Sequence, residues 1–144
     1  MASKTKKPKS AATSAGKRPV DSMETPYSGF IKFRFDRIDL GSEWDLGSID
    51  PDDFVELLEF LKNISQSTIH ELRNSTGTLK VYDNLQTGMN PEAIKRLAEG
   101  YEGQDFVHRL RVSGKKRLYG ILDESVFSIL WWDPEHKVWP TKDR

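Results

Sequence analysis

The strongest fold signal in the chain lies in residues 106–132, which read FVHRLRVSGKKRLYGILDESVFSILWW. Apolar and polar side chains alternate over 106–112, and a period of two is typical of a half-buried strand. A Ser-Gly turn precedes the next strand, 117–122, and an Asp-Glu-Ser turn precedes the apolar run 126–132. An apolar run bounded by turns fits a central strand that is covered on both faces. We therefore predict three sequential antiparallel strands.

Helix signals precede these strands. Asp50 can cap a helix, Pro51 suits its first position, and apolar side chains then recur on one stripe, which predicts a helix over 51–64. Ser67 is expected to cap a second, shorter helix, so that the two helices form a hairpin. Residues 90–100 repeat the cap-and-proline pattern and predict a further helix.

Two more strands are expected outside the meander, one over 30–38 and a short one over 79–82. The predicted fold class is α+β, in which an antiparallel sheet with a C-terminal three-strand meander is packed on one face by an N-terminal helical hairpin. The side chains expected in the core are Phe33, Phe35, Phe54, Leu57, Leu61, Leu110, Ile129 and Leu130.

Charge is distributed unevenly along the chain. The protein has 144 residues, with 22 Lys and Arg against 22 Asp and Glu. Six of the bases and none of the acids lie in residues 1–20, so the remainder carries 16 bases against 22 acids. Residues 1–28 offer almost no apolar surface to bury, which predicts a disordered basic arm followed by a single domain over 29–144. The arm is either a solubilising tail or a weak attractor of nucleic acid.

Composition argues against several classes of function. The chain has no cysteine, which excludes disulfides, thiol nucleophiles and thiolate metal sites. Its three histidines lack the spacing of a metal-ligand pair, and there is no glycine-rich phosphate loop, so we expect no metal and no cofactor. The longest uninterrupted apolar run has four residues, too few to span a membrane, and no secretory signal is recognisable. We expect a cytoplasmic protein with no membrane partner.

Basic side chains crowd the first hairpin of the meander, and there is no acid between residues 106 and 122. Strand residues two apart share a face, so Arg109 and Arg111 are expected to point the same way. Such a cluster can bind phosphate groups and stabilise a phosphorane. Alternatively, it is a solvated hairpin whose charges prevent edge pairing. The cluster consists of His108, Arg109, Arg111, Lys115, Lys116 and Arg117.

A single histidine, His136, follows the last predicted strand and could lie near the arginines of the hairpin. Histidine suits acid–base chemistry because its side chain ordinarily exchanges protons near neutral pH. A histidine in a terminal loop can equally be a surface or packing residue. Tyr119 and Trp139 could stack against a base.

Together these features resemble the RelE/ParE toxin superfamily of small, metal-free proteins, many of which cut mRNA on the ribosome. The layout of strand, helical hairpin and terminal meander is similar over residues 30–140. The resemblance is strongest over 106–140, where the basic hairpin is followed by His136-Lys137-Val138-Trp139. This part is also similar to small bacterial and phage proteins that end in a Trp-Asp-Pro-x-His pattern.

The resemblance implies an endoribonuclease toxin of a toxin–antitoxin system, with RNA or the ribosome and a cognate antitoxin protein as partners. No cofactor would be needed, because the RNA 2′-hydroxyl attacks the adjacent phosphate. His136 would act as acid or base, and Arg109, Arg111 and Arg117 would stabilise charge. The RNA-binding residues that the resemblance and the basic cluster imply are His108, Lys115, Lys116, Tyr119, Lys137 and Trp139.

Two other classes of function stay open. A noncatalytic nucleic-acid-binding protein would use the same basic hairpin together with the lysine-rich arm. A protein-interaction module would use its acidic helices to meet a basic partner, and would not bind nucleic acid. A nuclease requires His136 and the arginines in one concave site, whereas a binding protein requires only a continuous basic surface.

Overall fold

The computed structural model of the protein describes residues 29–140, so the predicted arm, 1–28, lies outside the described residues. The predicted α+β class is confirmed, with one five-stranded sheet in the order β1-β5-β4-β3-β2. The strands are β1 (Lys32–Arg34), β2 (Leu79–Tyr82), β3 (Val107–Ser113), β4 (Lys116–Asp123) and β5 (Val126–Asp133), and the α-helices are α1 (Pro51–Ile64) and α2 (Pro91–Gly100).

The sheet is mixed rather than antiparallel throughout. Strands β3, β4 and β5 are antiparallel neighbours, and β2 is antiparallel to β3. Strand β1, however, pairs with β5 in parallel, and only from Lys32 to Arg34. The predicted strand over 30–38 is therefore wrong in length. Phe35 lies beyond the paired residues and is 59% exposed.

Both α-helices begin where their capping residues predict. The side chain of Asp50 accepts hydrogen bonds from the N–H groups of Asp52 (3.0 Å) and Asp53 (3.4 Å) at the start of α1. Asn90 caps α2 in the same way, since its side chain accepts the N–H of Glu92 at 2.9 Å. These side chains satisfy backbone donors that have no partner inside the helix.

The second element of the predicted helical hairpin is short and contains a π-helical turn, Glu71–Ser75. Its cap is Thr68 rather than the predicted Ser67. The N–H of Thr68 donates to Oε1 of Glu71 at 2.9 Å, and the N–H of Glu71 donates to Oγ1 of Thr68 at 3.1 Å. This reciprocal pair is a capping box, which requires a spacing of three residues and therefore excludes Ser67.

Helices cover both faces of the sheet, not one. Leu57 of α1 packs in the apolar cluster that contains Leu110, whereas Leu97 of α2 packs in the cluster that contains Val107 and Tyr119. Leu110 and Val107 are three residues apart on β3 and so point to opposite faces. The prediction of a single covered face is wrong because both faces of the central strands are apolar and each needs a cover.

A bulge in β5 places the consecutive residues Leu130 and Trp131 in the same apolar cluster. Tyr119 is paired with Trp131 and Gly120 with Ile129, which leaves Leu130 as an extra residue. The two backbones approach closely here, since a Cβ on Gly120 would lie 2.3 Å from a carbonyl oxygen of β5. Only glycine fits at this position.

The expected core is correct in part. Phe54 is wrongly placed in it: this side chain is 44% exposed, because the buried positions of α1 begin one turn later, at Leu57. Phe33 and Leu61 are half-buried. The expected core residues that are buried are Leu57, Leu110, Ile129 and Leu130.

Candidate functional site

A cavity of about 470 Å³ lies where β2, β3 and β4 meet the segment that follows β5. Arg109 is on β3 and Arg117 on β4, and strand alternation places both on the same face as Tyr119. His136 and Trp139 belong to the segment after β5. The structure thus brings together four of the predicted site residues in one lining: Arg109, Arg117, His136 and Trp139.

The rest of the lining was missed by sequence reasoning. Lys80 on β2 is the register partner of Arg109, which is in turn the partner of Tyr119. Cross-strand partners share a face, so Lys80 points toward the same side of the sheet. Local patterning predicts a strand over 79–82 but does not predict that it pairs with β3. This pairing is what places Lys80 beside Arg109. The lining residues found only in the structure are Lys80, Tyr82, Thr87, Gly88 and Pro140.

Both arginines of the cavity are buried without an acidic partner. Arg109 is 8% exposed and Arg117 is 9% exposed. Nη2 of Arg109 donates to the carbonyl oxygens of Gly77 (2.8 Å) and Thr78 (3.2 Å), and Nη1 of Arg117 donates to that of Gly114 (2.7 Å). Neither guanidinium forms an ion pair within residues 29–140. Because carbonyl oxygens supply only partial charge, neither positive charge is balanced by a direct ionic partner.

Unused hydrogen-bond donors concentrate around these arginines. The Nε–H groups of Arg109 and Arg117 and the hydroxyl of Tyr119 are buried and have no hydrogen-bond partner in the described part of the chain. Burial, followed by the charge of Arg109, lowers the pKa of Arg117. Burial raises the pKa of Tyr119, so its hydroxyl keeps its proton. Unsatisfied donors beside unmatched positive charge favour an anionic ligand.

The backbone that carries His136 is fixed from two sides. Its φ of 63° lies in the left-handed region, where residues other than glycine are strained. The carboxylate of Asp133 accepts the N–H groups of Lys137 (2.9 Å) and Val138 (2.7 Å). The N–H of Asn90 donates to the carbonyl oxygen of Val138 at 2.8 Å. The imidazole therefore projects from a backbone that cannot shift without breaking these bonds.

Trp139 forms a wall of the cavity rather than a free platform for a base. Its indole is stacked on Tyr82, with centroids 4.3 Å apart and planes 5° from parallel. Nζ of Lys80 lies 5.2 Å from the centroid of Tyr82. Gly88 packs so closely that a Cβ there would lie 2.5 Å from Cζ2 of Trp139. One face of the indole is already covered, so the predicted stacking of a base is limited to its remaining surface.

The two lysines of the predicted cluster do not line the cavity. Lys115 is exposed in the turn between β3 and β4. Nζ of Lys116 lies 2.7 Å from Oε1 of Glu56 and 2.9 Å from Oδ1 of Asp53, both on α1. The hydrogen bonds to Glu56 and then Asp53 raise the pKa of Lys116. These ion pairs connect the hairpin to α1, so the charge of Lys116 is not available to a phosphate in the cavity.

Arg111 and Lys137 are also outside the lining. Arg111 is exposed, and its Nη2 donates to the carbonyl oxygen of Thr76 at 3.4 Å. Lys137 is exposed, and its Nζ lies 3.6 Å from Oε1 of Glu135. Arg111 is the cross-strand partner of Arg117 and points to the same side of the sheet, but it lies beside the turn between β3 and β4 and does not line the cavity.

His108 is buried within the fold and does not line the cavity. Its Nδ1 accepts the backbone N–H of Leu122 at 3.2 Å, and its ring meets Phe106 edge to face. Burial, with a smaller contribution from the charge of Arg73, lowers the pKa of His108 to about 4. The imidazole is therefore neutral at pH 7 and serves as a hydrogen-bond acceptor.

No protein-family model, curated protein or solved structure matches this chain. Within residues 29–140, no group of three or more histidine, aspartate and glutamate side chains is placed to hold a metal ion. No helix in the same part of the chain is long and apolar enough to cross a membrane. The case for a function therefore rests on the cavity.

Proposed function

We propose that this protein is a metal-independent endoribonuclease that cleaves RNA in the cavity lined by Arg109, Arg117 and His136. The supporting observation is that His136 shares this cavity with two buried arginines that form no ion pair with an acid of residues 29–140. A proton-transfer group beside unmatched positive charge is what cleavage by the RNA's own 2′-hydroxyl requires.

The reaction needs two proton transfers and no external nucleophile. The 2′-oxygen attacks the adjacent phosphorus, and the bond from phosphorus to the 5′-oxygen of the next nucleotide breaks. The 2′-hydroxyl loses a proton and the departing 5′-oxygen gains one, which leaves a 2′,3′-cyclic phosphate and a 5′-hydroxyl. His136 performs one of these transfers and water the other. A positioned acid or base contributes roughly 10²–10⁴-fold to such a rate.

Arg109 and Arg117 act on the charge that develops during the reaction. A phosphodiester carries one negative charge, whereas the phosphorane formed by the attack carries two. Donors that interact more strongly with the phosphorane than with the substrate lower the barrier. The sequence suggested that Lys115 and Lys116 position the RNA backbone. We assign this role to Lys80 instead, because Lys80 lines the cavity and the other two lysines do not.

The resemblance to the RelE/ParE toxins supplies a biological setting. In that setting the protein is a cytoplasmic toxin that cuts mRNA, either free or on the ribosome, and a cognate antitoxin protein keeps it inactive. Expression in growing bacteria tests this part: we expect growth arrest and mRNA cleavage with the intact protein, and neither with a variant at His136.

The chemistry is tested with purified protein and a labelled RNA in the presence of a metal chelator. His136→Asn is the decisive variant, since asparagine tolerates the left-handed backbone at this position but cannot exchange protons. We expect roughly 10²–10⁴-fold slower cleavage and products that end in a cyclic phosphate. Lys115→Gln, on the hairpin that carries Arg109 and Arg117 but outside the cavity lining, should cleave like the parent. Full cleavage by His136→Asn contradicts the proposal.

A noncatalytic nucleic-acid-binding protein is the second candidate. It is favoured by the backbone hydrogen bonds of Arg109 and Arg117, which hold the guanidinium groups in place whether or not a reaction follows. Binding of RNA by the parent protein, weakened by Arg117→Gln and unaccompanied by cleavage, would establish this candidate instead.

A further inference from the structure

The cavity holds more positive charge than an internal phosphodiester can match. Lys80, Arg109 and Arg117 all line it, and no aspartate or glutamate is among its described lining residues. Within residues 29–140, none of these three side chains forms an ion pair. Asp133 is fully buried and is the cross-strand partner of Arg117, but its carboxylate oxygens accept backbone N–H groups of the following loop.

The unused hydrogen-bond donors of the cavity also favour a ligand with more than one negative charge. The Nε–H groups of Arg109 and Arg117 are buried and unpartnered in the described part of the chain, and each arginine residue is more than nine-tenths buried. These two fixed donors and the ammonium of Lys80 can all be satisfied by one small group only if that group carries several acceptor oxygens. An internal phosphodiester offers two unesterified oxygens and a single charge. A phosphomonoester offers three oxygens and about −1.5 to −2 charge at neutral pH.

We propose that the cavity selects phosphomonoester dianions and so binds the phosphorylated ends of nucleic-acid chains in preference to internal phosphates. The inference deepens the proposed function in one respect. When water opens the cyclic phosphate left by cleavage, the bond from phosphorus to the 2′-oxygen breaks and a 3′-phosphomonoester forms. The cavity would retain this product, and terminal phosphates would inhibit the enzyme.

Binding can be measured separately from cleavage with short DNA, which has no 2′-hydroxyl. Three dye-labelled thymidine tetramers serve as probes: one with hydroxyl ends, one with a 5′-phosphate and one with a 3′-phosphate. Fluorescence anisotropy should show roughly ten- to hundredfold tighter binding of at least one phosphorylated probe than of the hydroxyl probe, because charge-assisted hydrogen bonds are added.

Arg109→Gln and Arg117→Gln should each remove most of this preference. Arg111→Gln is the matched control, because Arg111 is on the same strand as Arg109 but lies outside the cavity lining. If the cavity variants fail to fold, the parent protein supplies an independent measurement. Inorganic phosphate loses charge between pH 7.5 and pH 5.5, whereas sulfate keeps its own, so phosphate should weaken relative to sulfate as a competitor at the lower pH.

Equal affinity for all three probes overturns the inference and leaves the proposed nuclease untouched. A preference that survives in both cavity variants also overturns it, because another surface must then hold the phosphate. A preference that depends on both arginines supports the inference. If the parent protein shows that preference but never cleaves RNA, the inference holds and the proposed nuclease fails.

Discussion

Asp133 holds His136 in a left-handed backbone conformation although it is not itself part of the cavity lining. Its two carboxylate oxygens accept the N–H groups of Lys137 (2.9 Å) and Val138 (2.7 Å), the residues that follow the histidine. Because Asp133 is fully buried, water cannot replace these bonds. A buried acid at the end of β5 thus acts as a positioning residue for the proposed proton-transfer group.

Asp133→Ala should destabilise the protein and weaken cleavage together. Two N–H groups would lose a charged acceptor, which is expected to lower the free energy of unfolding by roughly 2–4 kcal/mol. Urea denaturation measures this loss, and Asp133→Asn, which keeps one acceptor oxygen, should lose less. Glu135→Gln is the control, since its side chain is exposed on the same loop. An unchanged pH–rate profile in Asp133→Asn, at normal stability, would show that the acid does not position His136.

Gly88→Ala should loosen the wall that Trp139 forms. The new Cβ would lie 2.5 Å from Cζ2 of the indole, which is already stacked on Tyr82 and cannot move away freely. We expect a loss of roughly 1–3 kcal/mol in unfolding free energy, together with a changed tryptophan fluorescence spectrum. Gly100→Ala is a matched control, because a Cβ there meets nothing within 4 Å. Parent-like stability and fluorescence in Gly88→Ala would contradict the close packing of Gly88 against Trp139.

His108 should make the protein less stable as the pH falls from about 6.5 to about 4. Its pKa is lowered to about 4 in the folded state from 6.5, so the unfolded chain takes up a proton first. Because the unfolded state binds more protons in this window, the unfolding free energy should fall by roughly 2–3 kcal/mol. Urea denaturation at pH 7 and pH 4.5 measures the difference.

The matched variant for that experiment is His108→Asn, whose side-chain oxygen can replace Nδ1 as acceptor for the N–H of Leu122. It should retain stability at pH 7 and lose most of the pH dependence above pH 4. The carboxyl of Asp39, whose pKa is lowered by the hydrogen bond from Arg96, titrates below this window and should affect both proteins alike. An equal pH dependence in the two proteins would assign the effect to another group.

Lys80 and Lys116 should differ in their effect on RNA binding. Lys80→Gln removes a charge from the cavity and should reduce the salt dependence of binding by roughly one unit of slope. Lys116→Gln should leave RNA affinity nearly unchanged, because Lys116 is already paired with Asp53 and Glu56. Filter binding of a noncleavable RNA at several salt concentrations distinguishes them. A larger effect at Lys116 would place the RNA on the hairpin surface instead of in the cavity.

Local signals in the sequence were sufficient to predict the two α-helices, α1 and α2. The side chains of Asp50 and Asn90 and the prolines after them lie within one turn of the backbone groups that they satisfy, so the start of each α-helix depends on its neighbours alone. The same reasoning failed at Ser67, because a capping box depends on the pair Thr68 and Glu71 and not on one residue. It also failed at Phe35, since the length of β1 is set by its pairing with β5.

The candidate site could be predicted only in outline. Arg109, Arg117 and His136 were recognisable because a run without acids and a single late histidine are properties of the sequence itself. The sequence does not show whether these three side chains line one cavity. It also does not show that Lys80 and Gly88 belong to the same lining. Lys115 and Lys116 show most clearly that closeness in sequence does not predict the site. They directly precede Arg117 in the chain, but they do not line the cavity.

The sequence by itself determined the two α-helices and the strands of the meander, and it marked Arg109, Arg117 and His136 as candidate site residues, because capping, alternation and local charge act between residues close together in the chain. The tertiary structure alone decided that α2 covers the second face of the sheet, that Lys80 pairs with Arg109, and that Asp133 fixes the backbone at His136. These relationships join residues from distant parts of the chain or depend on burial. Strand order, register and the exclusion of water set them, and none of these is a local property.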